Sequence, residues 1–361
     1  MLATLLVGWY GFGPIGTALL SVGGLGFSAF CAWQVVTAVL LGICWRVAAP
    51  LRGTRHVAPF VWGRFVRDAA GSCLPFSAVG GFVLGIRAVA LHRIAWSAAT
   101  LALAVDLTAE FLAQILFTVG GLLVLLDRST DLSLTRPIEI GIALAVVTGI
   151  VVLRLQKGIV PLFVRFGRRI LGGGVAGWDG DAAVISEIEL TALYGDSRRM
   201  VLGIAGHLAG WASKGLGNWI AFRLLGSDID LGAALAIEAL LYALIAPAFV
   251  VPGHVGVQEA GYAAIGALFG IPPEISLSVS LLRRARDIAI GIPVLLVWQL
   301  FEMRRLHKPW LPDAEESDVD RPAAATSQIP PAGVVSPNSG SDKRGLVSRG
   351  EGQIDQPVSV F

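Results

Sequence analysis

Charged side chains recur in this chain at helical spacings inside strongly apolar segments. Arg64, Arg67 and Asp68 fall in residues 60–74, Asp106 and Glu110 lie deep in 96–126, and His207 and Lys214 sit in 201–225. Glu238 follows in the next run, and Arg283, Arg284, Arg286 and Asp287 occupy the last. On insertion scales a Lys, Arg or Asp at the centre of a membrane helix costs about 2.5 to 3.5 kcal/mol. Four of them turned toward lipid would cost roughly 10 kcal/mol, as much as a typical fold is stable. These groups are therefore expected to point inward, at each other or at water.

Asp106 and Glu110 are four residues apart and share a helix face. Two carboxylates so close repel unless one keeps its proton or a cation lies between them. That allows a proton-coupling or cation-binding pair, or a structural partner for Arg64 or Arg67, and both readings stand at this stage. Arg283 and Arg286, three apart, also share a face, and guanidinium forks suit an anionic lipid headgroup. Pairing with Asp287, Glu259 or other acids is the competing role. Glu259 would oppose an anion unless paired, so an arginine partner is expected for it. His207 has no second His or Cys at metal spacing and reads as an interhelical hydrogen-bond donor.

The segment Ala246-Pro-Ala-Phe-Val-Val-Pro-Gly-His-Val-Gly-Val-Gln-Glu259 breaks a helix at Pro252 and Gly253. Backbone groups freed inside hydrocarbon are tolerated only where protein or a watery cavity surrounds them. The helix that follows would offer free N–H groups and a positive dipole end to an anion. Pro252, Gly253, Gly256, Gln258 and Glu259, with Arg64, Arg67, Arg283 and Arg286, form the candidate substrate-binding set. Asp68, Asp106, Glu110, Lys214 and Asp287 are candidates for coupling or structural roles. No metal, cofactor or catalytic residue is expected; there is no Gly-x-x-x-x-Gly-Lys-Ser/Thr loop for ATP.

The elements that must position these residues follow from composition. A hydrophobic fraction of 55%, a charged fraction of 15% and a mean hydropathy of +0.71 exclude an ordinary soluble domain, which carries about 25% charge. A net charge of +2 gives no reason to expect a nucleic-acid partner. Cys31, Cys44 and Cys73 lie in apolar stretches and read as small buried hydrophobes. The chain is thus an all-α polytopic membrane bundle, with apolar runs at 24–45, 96–126, 138–155, 201–225, 231–251 and 275–301, each near the roughly 20 residues a crossing needs. Two Gly/Pro-broken pieces, 58–91 and 252–270, are either re-entrant hairpins or thin crossings. Residues 1–10 are too short to cross, so either that crossing is incomplete or the start has been cut.

Basic residues gather in 157–199, read as a polar loop, and just after 301. The positive-inside rule puts both in the cytoplasm. Residues 1–303 form the membrane domain. Residues 304–361 read as a disordered cytoplasmic tail, since seven of the eighteen prolines fall at or after Pro309 among Ser, Gly and acids, with too little apolar surface to offset ordering entropy.

Arg64-Phe-Val-Arg-Asp68 beside Pro75-Phe-Ser-Ala-Val-Gly-Gly81 is echoed by Pro252-Gly-His-Val-Gly256 beside Arg283-Arg-Ala-Arg-Asp287. Broken segments in two halves are a mark of inverted repeats, although the order of the two motifs is reversed here. The same motifs, with Val251-Pro-Gly-His-Val-Gly-Val-Gln-Glu-Ala-Gly-Tyr262 and Val105-Asp-Leu-Thr-Ala-Glu110, resemble the hopanoid-biosynthesis-associated integral membrane proteins. These are a branch of the lysylphosphatidylglycerol synthase transmembrane, or flippase-like, superfamily, and the likeness spans residues 8–303. His254 departs from it, standing where the superfamily usually has a second glycine. The resemblance implies a lipid-handling domain of the bacterial inner membrane that moves or presents a hopanoid or an anionic phospholipid; the polar tail is too poor in apolar residues to be the aminoacyl-transfer domain of the synthase relatives, so no enzyme is expected. The alternative it leaves is a non-transporting scaffold for hopanoid-pathway enzymes.

Overall fold

A computed structural model describes residues 12–51, 56–74, 77–128, 135–171, 194–246, 254 and 256–306. All of them belong to one unit, Met1–Val319; a second unit, Asp320–Phe361, lies wholly outside the description. Residues 1–10, the break residues Pro252 and Gly253, and the tail from Pro309 also lie outside it.

Among the described residues the secondary structure is helical throughout, in nine helices: α1 (Phe12–Ala48), α2 (Val57–Cys73), α3 (Ser77–Ala90), α4 (Trp96–Arg128), α5 (Thr135–Leu171), α6 (Ser197–Leu224), α7 (Leu231–Ile245), α8 (Val257–Leu268) and α9 (Pro273–Leu306). Three stretches, Val22–Ala48, Trp96–Arg128 and Thr135–Val152, are long and apolar enough to cross a membrane by length and composition alone. α6 and α9 have the length too, with 28 and 34 residues, but carry the paired charges described below. Their outward faces remain greasy, as at Val201, Leu202, Leu296, Val297 and Leu300. The fold is an all-α membrane bundle. One expectation shifts: the polar loop expected from Lys157 starts later, because α5 continues to Leu171.

Local sequence explains the short helices. Pro59 sits in the first turn of α2, where its missing N–H would be unsatisfied anyway. Pro75 ends the same helix by forcing Leu74 to an extended conformation (φ −105, ψ 145). α6 and α7 start at aspartate caps: Asp196 accepts from the Arg199 N–H and Asp230 from the Ala233 N–H, each at 3.1 Å. α8 starts at Gly256, whose φ of 82 suits a residue without a Cβ, and the Glu259 carboxylate returns to its N–H at 2.8 Å.

α2 and α3, of 17 and 14 residues, and α7 and α8, of 15 and 12, are each shorter than the roughly 20 residues a crossing needs. Each pair folds back as a hairpin. In the first, Gly63 abuts Val89 and Gly85, while Gly81 abuts the Arg67 carbonyl and Gly71. In the second, Gly261 abuts Leu241 and Leu244. Small residues let these backbones approach in lipid, where no hydrophobic force drives helices together.

The hairpins enter from opposite ends of the bundle. α1 and α6 pack antiparallel, with Gly26 against Leu224, Thr37 against Ser213 and Cys44 against Gly206. α2 runs antiparallel to α1 (Gly42 on Val61, Trp45 on Phe60) and α7 antiparallel to α6 (Gly215 on Leu235). The first hairpin thus enters beside the C-terminal end of α1 and the second beside the C-terminal end of α6.

Apart from α5, the principal packings fall into matched sets under the exchange of α1–α4 with α6–α9. α1–α2 matches α6–α7, α2–α3 matches α7–α8, α3–α4 matches α8–α9, α2–α9 matches α7–α4, and α1–α9 matches α6–α4. With α1 and α6 antiparallel, this is an inverted repeat. It also corrects the motif echo, since Arg64-Phe-Val-Arg-Asp68 lies on α2 and Arg283-Arg-Ala-Arg-Asp287 on α9, which are not counterparts. One core, around Trp45, Phe60, Val89 and Ala99, lies in the first half; the other, around Phe222, Ile237, Leu241, Tyr262 and Leu282, lies mainly in the second.

Gly63→Leu is expected to cost about 1 to 3 kcal/mol through overpacking, read as a lower unfolding temperature in detergent, because a Cβ there would sit 3.1 Å from the Gly85 carbonyl and from the Trp45 ring. Gly120→Ala, with open space around it, should not lower that temperature. The Asp230 carboxyl is held down at about 2, first by its hydrogen bond from Arg128 and also by the helix N–H groups it caps. Its contribution should be complete above the ordinary value of 3.8 and fade as pH falls through about 2. Asp230→Asn should abolish that part of the acid dependence of unfolding.

Candidate functional site

Arg64, Arg67 and Asp68 occupy one face of α2, turned toward α4 and α6, and they join a continuous chain of opposite charges. Arg64 Nε donates to Asp68 Oδ2 at 2.9 Å and its Nη2 to Glu110 Oε1 at 3.0 Å. Arg67 Nη2 donates to Glu110 Oε2 at 2.7 Å, while Arg67 Nη1 lies 3.5 Å from Asp106 Oδ2. Asp106 Oδ1 meets His207 Nε2 at 2.8 Å. The row Asp68–Arg64–Glu110–Arg67–Asp106–His207 ties α2 to α4 and α6, and four of its six members are buried. Asp106 and Glu110 are each paired with arginine, and His207 bonds across helices to Asp106. Its other ring nitrogen, Nδ1, is buried with no hydrogen-bond partner among the described residues.

This row forms one wall of a chamber of about 350 Å³ lined by Arg64, Arg67, Asp68 and Glu110, with Leu107, Phe111 and Gln114 of α4, Trp211 and Lys214 of α6, Tyr242, Ile245 and Ala246 at the end of α7, and His254. It lies where α2 of one hairpin and the end of α7 in the other converge. Lys214 Nζ sits 3.9 Å from the Trp211 ring centroid and 4.9 Å from that of Tyr242. The two rings meet edge to face at 4.7 Å, and Phe117 stacks behind Trp211 at 6.1 Å. The Trp211 Nε1–H donates to the Glu110 carbonyl at 3.3 Å, and Gln114 Nε2 to the Tyr242 carbonyl at 3.3 Å.

The second half holds a separate buried cluster. Arg283 pairs with Glu238 and donates to the Tyr262 hydroxyl at 2.6 Å and the Tyr242 hydroxyl at 3.3 Å. Tyr262 donates to Asn218 Oδ1 at 2.9 Å. Glu259 finds its arginine in Arg284 (2.6 Å), and Gln258 Nε2 donates to Ser280 Oγ at 2.9 Å. Arg286 pairs with Asp287 at 2.7 Å and lies over the Phe30 ring at 4.8 Å.

Of the residues expected to bind substrate, Arg64 and Arg67 line the chamber, as do Asp68, Glu110 and Lys214 from the coupling set. Gly256, Gln258, Glu259, Arg283, Arg286, Asp106 and Asp287 lie away from its lining, and Pro252 and Gly253 fall outside the described residues. The reason Arg283 and Arg286 differ from a free phosphate fork is plain: each already has a carboxylate. Trp211, Tyr242 and Gln114 were not singled out. The spacing of Trp211 and Lys214, three apart on one helix, was the available signal for the first of them.

The chain belongs to the family described as Lysylphosphatidylglycerol synthase TM region, which matches residues 1–294. No curated protein and no solved structure matches it. With its apolar helices, that membership makes it a membrane protein of lipid-related function.

Removing one partner of a buried ion pair strands a charge and typically costs 3 to 5 kcal/mol, about what Arg283→Leu is expected to cost here. Adding Glu238→Leu should recover most of it, because the pair is then replaced by apolar groups of similar size. A double-mutant cycle on unfolding in detergent measures this; additive losses would show that Arg283 and Glu238 do not act as a pair.

Proposed function

We propose that the protein accepts a lipid headgroup in the chamber between its two hairpins and translocates it, or presents it, between the leaflets of the bacterial cytoplasmic membrane. The observation that carries this reading is a space that five charged side chains, Arg64, Arg67, Asp68, Glu110 and Lys214, share with apolar ones in a bundle whose outward faces are apolar, where two hairpins from opposite ends meet. A chamber of about 350 Å³ is at the small end of ligand pockets, which run about 300 to 1,000 Å³. It suits a headgroup whose acyl or ring portion stays in the bilayer. The inverted repeat supports movement, because a site at the interface of two oppositely oriented halves is the arrangement alternating access uses.

The hopanoid assignment rests on the motif resemblance, with a hopanoid or an anionic phospholipid as cargo and enzymes of hopanoid formation as neighbours in the membrane. The C-terminus lies in the cytoplasm on this reading: Arg46 ends α1, α9 ends near Arg304, and Arg198 and Arg199 begin α6, all at one end of the bundle. The protein acts as a carrier, and the three carboxylates of its charge row are each paired with an arginine.

Purified protein reconstituted in liposomes with headgroup-labelled phospholipid or labelled hopanoid polyol tests it. Wild-type protein should speed leaflet exchange of one of them by about tenfold or more over empty liposomes, a barrier change of about 1.4 kcal/mol. Trp211→Ala and Gln114→Leu, which alter the chamber, should slow exchange, whereas Gly120→Ala, which meets no neighbour, should not. Exchange no faster than in empty liposomes, with the protein folded and retained on hopanoid-pathway enzymes, would make it a scaffold.

A further inference from the structure

Lys214 is the chamber's odd cation. Its ammonium carries three N–H donors, yet among the described residues it has no hydrogen bond and no carboxylate within ion-pair distance; it rests on the faces of Trp211 and Tyr242. The other two cations of the lining are spent. Arg64 is bonded to Asp68 and Glu110, and Arg67 to Glu110 and Asp106. An anion arriving at either arginine must break a buried pair, which is costly. At Lys214 it meets unused donors.

The rings beneath Lys214 carry the second half of the argument. Two aromatic faces set edge to face, at 4.7 Å and 74°, make the kind of box that recognises ammonium groups, and here the chain's own ammonium fills it. Charge reinforces the point. Counting the arginines, the lysine and the carboxylates, the row and Lys214 hold three cations (Arg64, Arg67, Lys214) against three anions (Asp68, Asp106, Glu110). Without Lys214 the balance is two against three, beside an empty aromatic box.

We infer that Lys214 sets the sign of the headgroup: its ammonium docks a single anionic group, a phosphodiester or a carboxylate, and its occupation of the Trp211–Tyr242 box turns away headgroups bearing an ammonium. This rests on the chamber being the headgroup site. Lys214 is then a specificity residue, and removing it reverses the preference.

The test titrates purified protein in neutral detergent with dioleoylphosphatidylglycerol, with dioleoyl-trimethylammonium-propane and with inorganic phosphate, following tryptophan fluorescence and native mass spectrometry. Wild type should bind the anionic lipid at least about tenfold more tightly than the cationic one, a margin that one charge-assisted hydrogen bond supplies. Lys214→Met should lose about tenfold for the anionic lipid and gain for the cationic one, while Lys214→Arg keeps the wild-type order. Should Lys214→Met not stay folded, Lys214→Gln reads the same way. Lys214-dependent binding of phosphate alone supports the anion site and assigns it to a free ion; its absence alongside lipid binding assigns it to the headgroup. Unchanged affinity of a folded Lys214→Met protein for the anionic lipid, or equal wild-type affinity for both lipids, overturns the inference. The carrier reading fails separately: reversed binding without leaflet exchange removes it and leaves Lys214's role, whereas wild-type exchange of the anionic lipid by Lys214→Met removes Lys214's role and leaves the carrier.

Discussion

Hydrocarbon does not tolerate an unpaired charge, and the fold is organised around that intolerance. The row from Asp68 to His207 lets α2, α4 and α6 bring two arginines and three carboxylates together inside the bundle, each guanidinium meeting oxygen on two sides. Such a row contributes little net stability over apolar packing, since desolvation offsets most of the attraction. What it does is bind three helices in one relative position and hold a polar wall open. Loss of any central member would strand its neighbours, so the row works as a unit.

The two halves solve the same problem with the signs exchanged. In the first, the short hairpin helix α2 brings arginines and the long helix α4 brings acids. In the second, the short helix α7 brings Glu238 and the long helix α9 brings Arg283. Tyr242 links the two solutions: its ring lies under Lys214 and its hydroxyl accepts from Arg283. A shift of α7 would therefore be felt in both clusters.

Much of this was legible in the sequence because membrane energetics is severe. Charges among apolar residues had to turn inward, and Arg64, Arg67, Asp106, His207, Glu238, Arg283 and Arg286 are all buried. An arginine partner for Glu259 was expected, but which one depends on how α8 lies against α9, and antiparallel packing selects Arg284 over its neighbours. The repeat was visible only as a motif echo that pairs non-equivalent helices. Its true basis is the pattern of packings, which no local run of residues encodes. Trp211 and Tyr242 read as ordinary apolar residues until tertiary contact sets both beneath one ammonium. The start of the polar loop was misplaced because Lys157 and the arginines after it are as compatible with helix as with loop.

α5 is the helix that stands outside the repeat, packed principally on α4 and showing apolar side chains such as Ile140, Leu144, Val147 and Ile150 outward. Its importance is a matter of parity. A four-helix half that leaves on the same side as it entered would, if copied in tandem, yield two halves of the same orientation and no opposed hairpins. One additional traverse turns the second copy upside down. A peripheral helix that touches neither the chamber nor the charge row is in this way the reason the two hairpins come in from opposite sides.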